Sequence, residues 1–110
     1  MMKKTLQGVK ALVFRELNMA KAVNGPVFHS AHEGYGVLAE EMDEGHNEAW
    51  KADRGLAKLL GAIRSNSPSK IRGITYEVER YATQAAAEYI QTAAMARKLR
   101  ETIDGGMADV

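Results

Sequence analysis

The sequence predicts an all-α protein. Apolar residues recur at steps of three and four, and alanine and charged residues dominate over strand-like alternation. The only two prolines, Pro26 and Pro68, fall where helices are expected to be separated.

The first helix is expected over 5–23, where Leu6, Val9, Val13, Leu17 and Ala20 make one apolar stripe. Asn24-Gly25-Pro26 ends it, since Gly adopts positive φ and Pro cannot continue a helix. The second begins at Ser30. Ser30-Ala31-His32-Glu33 reads as a capping box in which the Ser hydroxyl accepts from Glu33 N–H and the Glu33 carboxylate reaches back to the cap. This helix continues past Glu48, weakened but not ended by Gly45. A separate, weaker helix is expected over 54–64. After a Ser-rich loop, Ser67 is placed as N-cap and Pro68 in the first helical turn. The last helix is expected over 70–103, stopped by Asp104-Gly105-Gly106, with 104–110 a flexible tail.

A chain of 110 residues suggests one domain, here 1–110. The absence of Cys excludes disulfides and thiolate metal sites and fits a reducing compartment. After Met1-Met2-Lys3-Lys4, the polar Gln7, Lys10 and Arg15 deny the segment the apolar core of a signal peptide. No apolar run approaches the roughly 20 residues that span a bilayer. A soluble, cytoplasmic protein without a membrane partner is expected. Fifteen basic against 14 acidic residues give no case for a nucleic-acid binder.

The charges are unevenly spread. Glu40, Glu41, Asp43, Glu44 and Glu48 fall within nine residues, followed by a mostly basic stretch from Lys51 to Arg72. At about 100° per residue, Glu41, Glu44 and Glu48 all lie within about 40° of Val37, continuing its stripe. The inward face of the second helix therefore turns from aliphatic to acidic. Buried carboxylates become paired, protonated or metal-bound, and magnesium favours a few carboxylates together with substrate phosphates. The competing reading is a solvated helix face.

The last helix bears on that choice. Ile71, Val78, Ala85, Thr92 and Leu99 form one row at seven-residue steps, and Ile74, Tyr81, Glu88 and Met95 form its partner. Glu88 interrupts a seam that is otherwise apolar. Pairing with Arg80 or Arg97 of another chain is one resolution. A metal shared with the second helix is the preferred one.

Glu40-Glu41-Met42-Asp43-Glu44 resembles the Glu-Glu-x-x-Glu motif of the MazG-like all-α nucleotide pyrophosphohydrolases. In that family a later helix carries Glu-x-x-Asp, and Glu88-Tyr89-Ile90-Gln91 stands in its place. Phe28-His29-Ser30-Ala31-His32-Glu33-Gly34-Tyr35, Leu38-Ala39 and Ala93-Ala94-Met95-Ala96 are similar to a branch often found in phages. The resemblance spans roughly residues 10 to 103, nearly the whole domain.

It implies a MazG-like helical bundle completed by oligomerisation. The implied reaction is magnesium-dependent (or manganese-dependent) hydrolysis of a nucleoside or deoxynucleoside triphosphate to the monophosphate and pyrophosphate. It implies Glu41, Glu44 and Glu88 as metal ligands, with Gln91 in the place of the family Asp, and Glu40 and Glu41 as catalytic residues, Glu40 either a nearby ligand or a base orienting water. Two features depart from the family. Gln91 carries no charge, and the 43 residues between Glu44 and Glu88 exceed the usual spacing, so segment 51–70 has no family counterpart.

His32 at the second helix start, and Lys51, Arg54 and Lys58 beyond the carboxylates, are expected to contact substrate phosphates or base, with solvated surface as the ordinary alternative. Tyr35 and Trp50 are either base-stacking or core residues. Asp43-x-x-His46 alone does not make a di-iron bundle, which needs Glu-x-x-His on two helices. The alternative function is a non-catalytic helical assembly or regulatory protein retaining the fold. A homodimer or tetramer is expected, since the last helix carries both the seam and a second small-residue surface through Ala82, Ala86, Ala93 and Ala96.

Overall fold

A computed structural model describes residues 2–106, which form three helices, α1 (Met2–Asn24), α2 (Ala31–Arg64) and α3 (Pro68–Asp104). Among the described residues there is no strand, and no helix is long and apolar enough to cross a membrane.

The separate helix expected over 54–64 does not exist as such. It is the last third of α2, which runs unbroken for 34 residues. Ala49-Trp50-Lys51-Ala52-Asp53 contains neither Pro nor Gly to stop propagation, and pairing with α3, close at Gly55 and Val78, holds the helix continuous. At the other end, α3 includes Asp104, Gly106 closes it at φ 96°, and the rest of the expected tail, 107–110, lies outside the described residues.

The helix starts show how the chain is punctuated. Gly25, at φ 90°, supplies the left-handed turn that ends α1, and its N–H donates to Lys21 O at 2.9 Å. Ser30 Oγ accepts from Glu33 N–H at 3.1 Å, as a capping box requires. The reciprocal arm differs from expectation. Glu33 Oε1 accepts from His29 N–H at 3.2 Å rather than from Ser30, because its other oxygen is held by His29 Nδ1 at 3.0 Å. These bonds to the His29 side chain and backbone hold the Glu33 carboxyl below the usual carboxylate range. Between α2 and α3, Asn66 takes φ 51°, a conformation that Asn tolerates better than most residues.

The chain groups into two compact units, one made of the residues up to Met42 with those from Tyr89 onward, the other of Asp43–Glu88. In the first unit α1, the start of α2 and the end of α3 enclose Leu17, Phe28 and Ala94. Leu17 is 1 % exposed; burying a leucine contributes about 1.5–3 kcal/mol. Phe28 N–H donates to Thr102 Oγ1 at 3.0 Å, and that hydroxyl donates to Lys98 O at 2.8 Å, which ties the α1–α2 loop to α3. Lys98 is itself buried, with its ammonium 4.4 Å from the Phe28 ring centroid. Helix contact is close at Gly34, where a Cβ would lie 2.7 Å from Leu99 Cδ1. The second unit is a hairpin of α2 and α3 with Ala62 and Ala85 buried. There Gly55 serves the same purpose, since a Cβ would lie 2.8 Å from Val78 Cγ2.

The seam expected on α3 faces inward along its length: Ala85 and Thr92 are buried, and Ile71, Ile74, Val78, Tyr81, Glu88, Met95 and Leu99 are half-buried. The α1 stripe is only partly covered. Leu17 is buried and Val13 and Ala20 are half-buried, but Leu6 and Val9 are exposed.

Glu101 joins α1 to α3 by accepting from Lys21 Nζ at 2.5 Å and from Arg97 Nε at 3.1 Å. Lys21 foremost, and then Arg97, hold its carboxyl below the usual range. A carboxylate whose pKa is lowered by folding adds stability above its unfolded value and loses it as pH falls through the folded value. Wild type should therefore lose stability relative to Glu101→Gln as pH falls below about 4, measured as the difference in urea midpoints at pH 7 and pH 3. A difference that does not change with pH means that the pair contributes nothing.

Candidate metal centre

The acidic stretch lies in the middle of α2, where the helix is continuous and presents Glu41, Glu44 and Glu48 at steps of three and four. Glu88 lies in the seam row of α3. Glu41, Glu44 and Glu88 each offer one carboxylate oxygen, and these three atoms all lie within 4.8 Å of one another. Glu41 and Glu88 are half-buried, each with its Oε2 shut off from solvent, while Glu44 is exposed. The solvated-face reading therefore suits Glu44 taken alone but not the other two.

Glu48 shares the helical phase of Glu41 and Glu44 but is absent from the ligand set that the family resemblance implies. Its Oε1 accepts from Lys51 Nζ at 3.5 Å, and its Oε2 is buried with no hydrogen-bond partner among the described residues. A buried carboxylate oxygen left in this state is costly unless a cation sits nearby. Its phase alone was enough to include it.

The donors suit a small hard cation: they are carboxylate oxygens, two of them with buried atoms, and no sulfur is present. Two oxygens bound to one magnesium at about 2.1 Å lie at most about 4.2 Å apart, so small side-chain rotations bring this set into one coordination sphere.

The remaining expected residues are distributed as follows. Glu40 is exposed, next to Glu41 in sequence. Gln91, one turn beyond Glu88 on α3, lines a cavity of about 350 Å³ together with Glu41. His32 is exposed in the first turn of α2 and is not among the residues lining that cavity. Lys51 and Arg54 line a different cavity, of about 270 Å³, with Trp50, Lys58, Glu77 and Tyr81. There Lys51 Nζ lies 5.3 Å from the Tyr81 ring centroid and Arg54 stacks on Trp50 at 4.8 Å. Tyr35 and Trp50 are not core residues: they are 71 % and 55 % exposed.

One further side chain was not singled out from the sequence. Glu16 on α1 lines the Glu41 cavity. The available signal was its phase, since it sits between Val13 and Ala20 at helical steps of three and four, beside the apolar stripe. No protein-family model, curated protein or solved structure matches this chain.

Proposed function

We propose that the chain is a magnesium-dependent nucleoside or deoxynucleoside triphosphate pyrophosphohydrolase that works as a homo-oligomer. The observation that carries this reading is the convergence of Glu41, Glu44 and Glu88, three carboxylates from two helices, on a space the size of one ion. Their resemblance in residue type and order to the MazG-like acidic motifs supplies the reaction.

Glu41, Glu44 and Glu88 hold the cation, with Glu48 one turn further along α2 and Gln91 one turn beyond Glu88 as additional oxygen donors. The bound ion supplies Lewis-acid charge for the phosphate oxygens. Glu40, exposed and next to Glu41 in sequence, accepts a proton from the attacking water. Water oxygen bonds to the α-phosphorus, the bond from that phosphorus to the bridging oxygen breaks, and pyrophosphate leaves with the electron pair. Lys51 and Arg54 are the cations assigned to the phosphate tail.

Purified protein incubated with each common NTP and dNTP and magnesium should release pyrophosphate and monophosphate in equal amounts from at least one of them. Chelation should stop the reaction. An absence of turnover with both magnesium and manganese rejects the reading.

A further inference from the structure

The cavity beside Glu41 has a chemical character of its own. It measures about 350 Å³, at the small end for ligand pockets and suited to a single nucleobase with its sugar. All of its lining residues belong to the first compact unit. Ala20, Val37, Ala94 and the two methionines Met19 and Met95 provide apolar surface, and polarizable thioethers adapt well to the face of a flat ring.

Polar groups are few: Glu16 and Asn24 from α1, Glu41 from α2 and Gln91 from α3. Glu16 is the unusual one. It is half-buried and makes no hydrogen bond or ion pair among the described residues. Its helical neighbours at three and four residues are Leu12, Val13, Met19 and Ala20, so α1 offers it no cation. Glu33 and Glu101, in the same unit, both have partners.

An ionised carboxylate only accepts hydrogen bonds, and its two oxygens match a pair of adjacent N–H donors. Among the common bases only guanine presents such a pair, N1–H beside the N2 amino group. Adenine and cytosine place an acceptor nitrogen beside their amino group, which a carboxylate repels. Uracil and thymine flank one N–H with two carbonyls. Asn24 and Gln91 can each donate to the guanine O6 or N7.

We infer that this cavity is a guanine-binding site in which Glu16 reads the N1–H and N2–H edge of the base. The inference deepens the pyrophosphohydrolase reading by naming its substrate class, and Glu41 is the residue common to the cavity and the carboxylate cluster. It is tested by binding, so that its failure is separable from failure of that reading.

The full chain is titrated calorimetrically with the 5′-monophosphates of guanosine, inosine, adenosine and N1-methylguanosine in the presence of magnesium. Losing hydrogen bonds to a charged group costs about tenfold or more in affinity. Guanosine monophosphate should therefore bind at least about tenfold more tightly than the other three. Glu16→Gln should bring guanosine and inosine monophosphates within about threefold of each other while circular dichroism stays unchanged. Equal binding of the four ligands, no binding of any, or a guanine preference that survives Glu16→Gln overturns the inference. The N1-methylated ligand decides the matter in wild type alone, should the variant not fold. Guanine binding without triphosphate turnover rejects the pyrophosphohydrolase reading and leaves the site standing. Turnover without base preference rejects the site and leaves the reaction standing.

Discussion

Glu41→Gln should reduce magnesium-dependent turnover by at least about 10³-fold, since a carboxylate that positions a catalytic ion supports several kcal/mol of transition-state stabilisation. Three facts single out Glu41. It contributes an oxygen to the Glu41–Glu44–Glu88 cluster, its Oε2 is buried, and it also lines the 350 Å³ cavity. The amide is nearly isosteric, so packing is kept and only the charge is lost. A neutral oxygen holds magnesium poorly against its tightly bound waters. The variant should therefore keep its helical circular dichroism and its oligomeric mass while needing more magnesium for any residual rate. Rates measured across a magnesium titration separate the two effects. Full activity at ordinary magnesium in the purified variant shows that Glu41 is not a ligand.

The parts of this molecule that repeat were legible in its sequence. The α3 seam, from Ile71 to Leu99, follows from seven-residue steps, and the inward position of Glu88 follows from its row. The phase of Glu41, Glu44 and Glu48 follows from helix geometry alone. What periodicity cannot give is continuity. Residues 49–53 are neutral between one long helix and two shorter ones, and the choice of a single α2 depends on pairing with α3, including the close approach at Gly55 to Val78. Pairing also decides exposure. Glu41 and Glu44 share a phase, yet one is half-buried and the other exposed.

Groups that depart from the pattern were the least legible. Lys98 lies next to Leu99, yet it is the lysine that is buried, because α3 in the first unit packs against both α1 and the Phe28 loop. Ala94 and Thr102 belong to the same widened face. A helix with two neighbours buries a broader arc than a two-row seam describes. Glu16 was missed for a related reason: its meaning depends on a cavity formed by three helices, and no run of residues along α1 reveals it.

The protein should be an obligate homo-oligomer, a dimer at least. The surface chemistry carries this expectation. On α1, Leu6, Leu12, Phe14 and Met19 are 49 %, 44 %, 52 % and 51 % exposed, and Val9 is exposed as well. On α3 the small residues Ala82, Ala86, Ala93 and Ala96 are all exposed, a surface that allows close approach of another helix. The fully buried apolar core of the chain holds few side chains, with Leu17 and Phe28 the only large ones among the described residues. A chain with so small a core is expected to draw stability from a partner. Light scattering at micromolar concentration should give at least twice 12.1 kDa. The thermal midpoint should rise with protein concentration, as it does when folding and association are coupled. Leu12→Glu, which places a charge among the exposed apolar residues of α1, should lower that midpoint and shift the mass toward the monomer. A stable wild-type monomer whose midpoint does not depend on concentration overturns the expectation, and would leave the exposed stripe of α1 as a surface for a different protein.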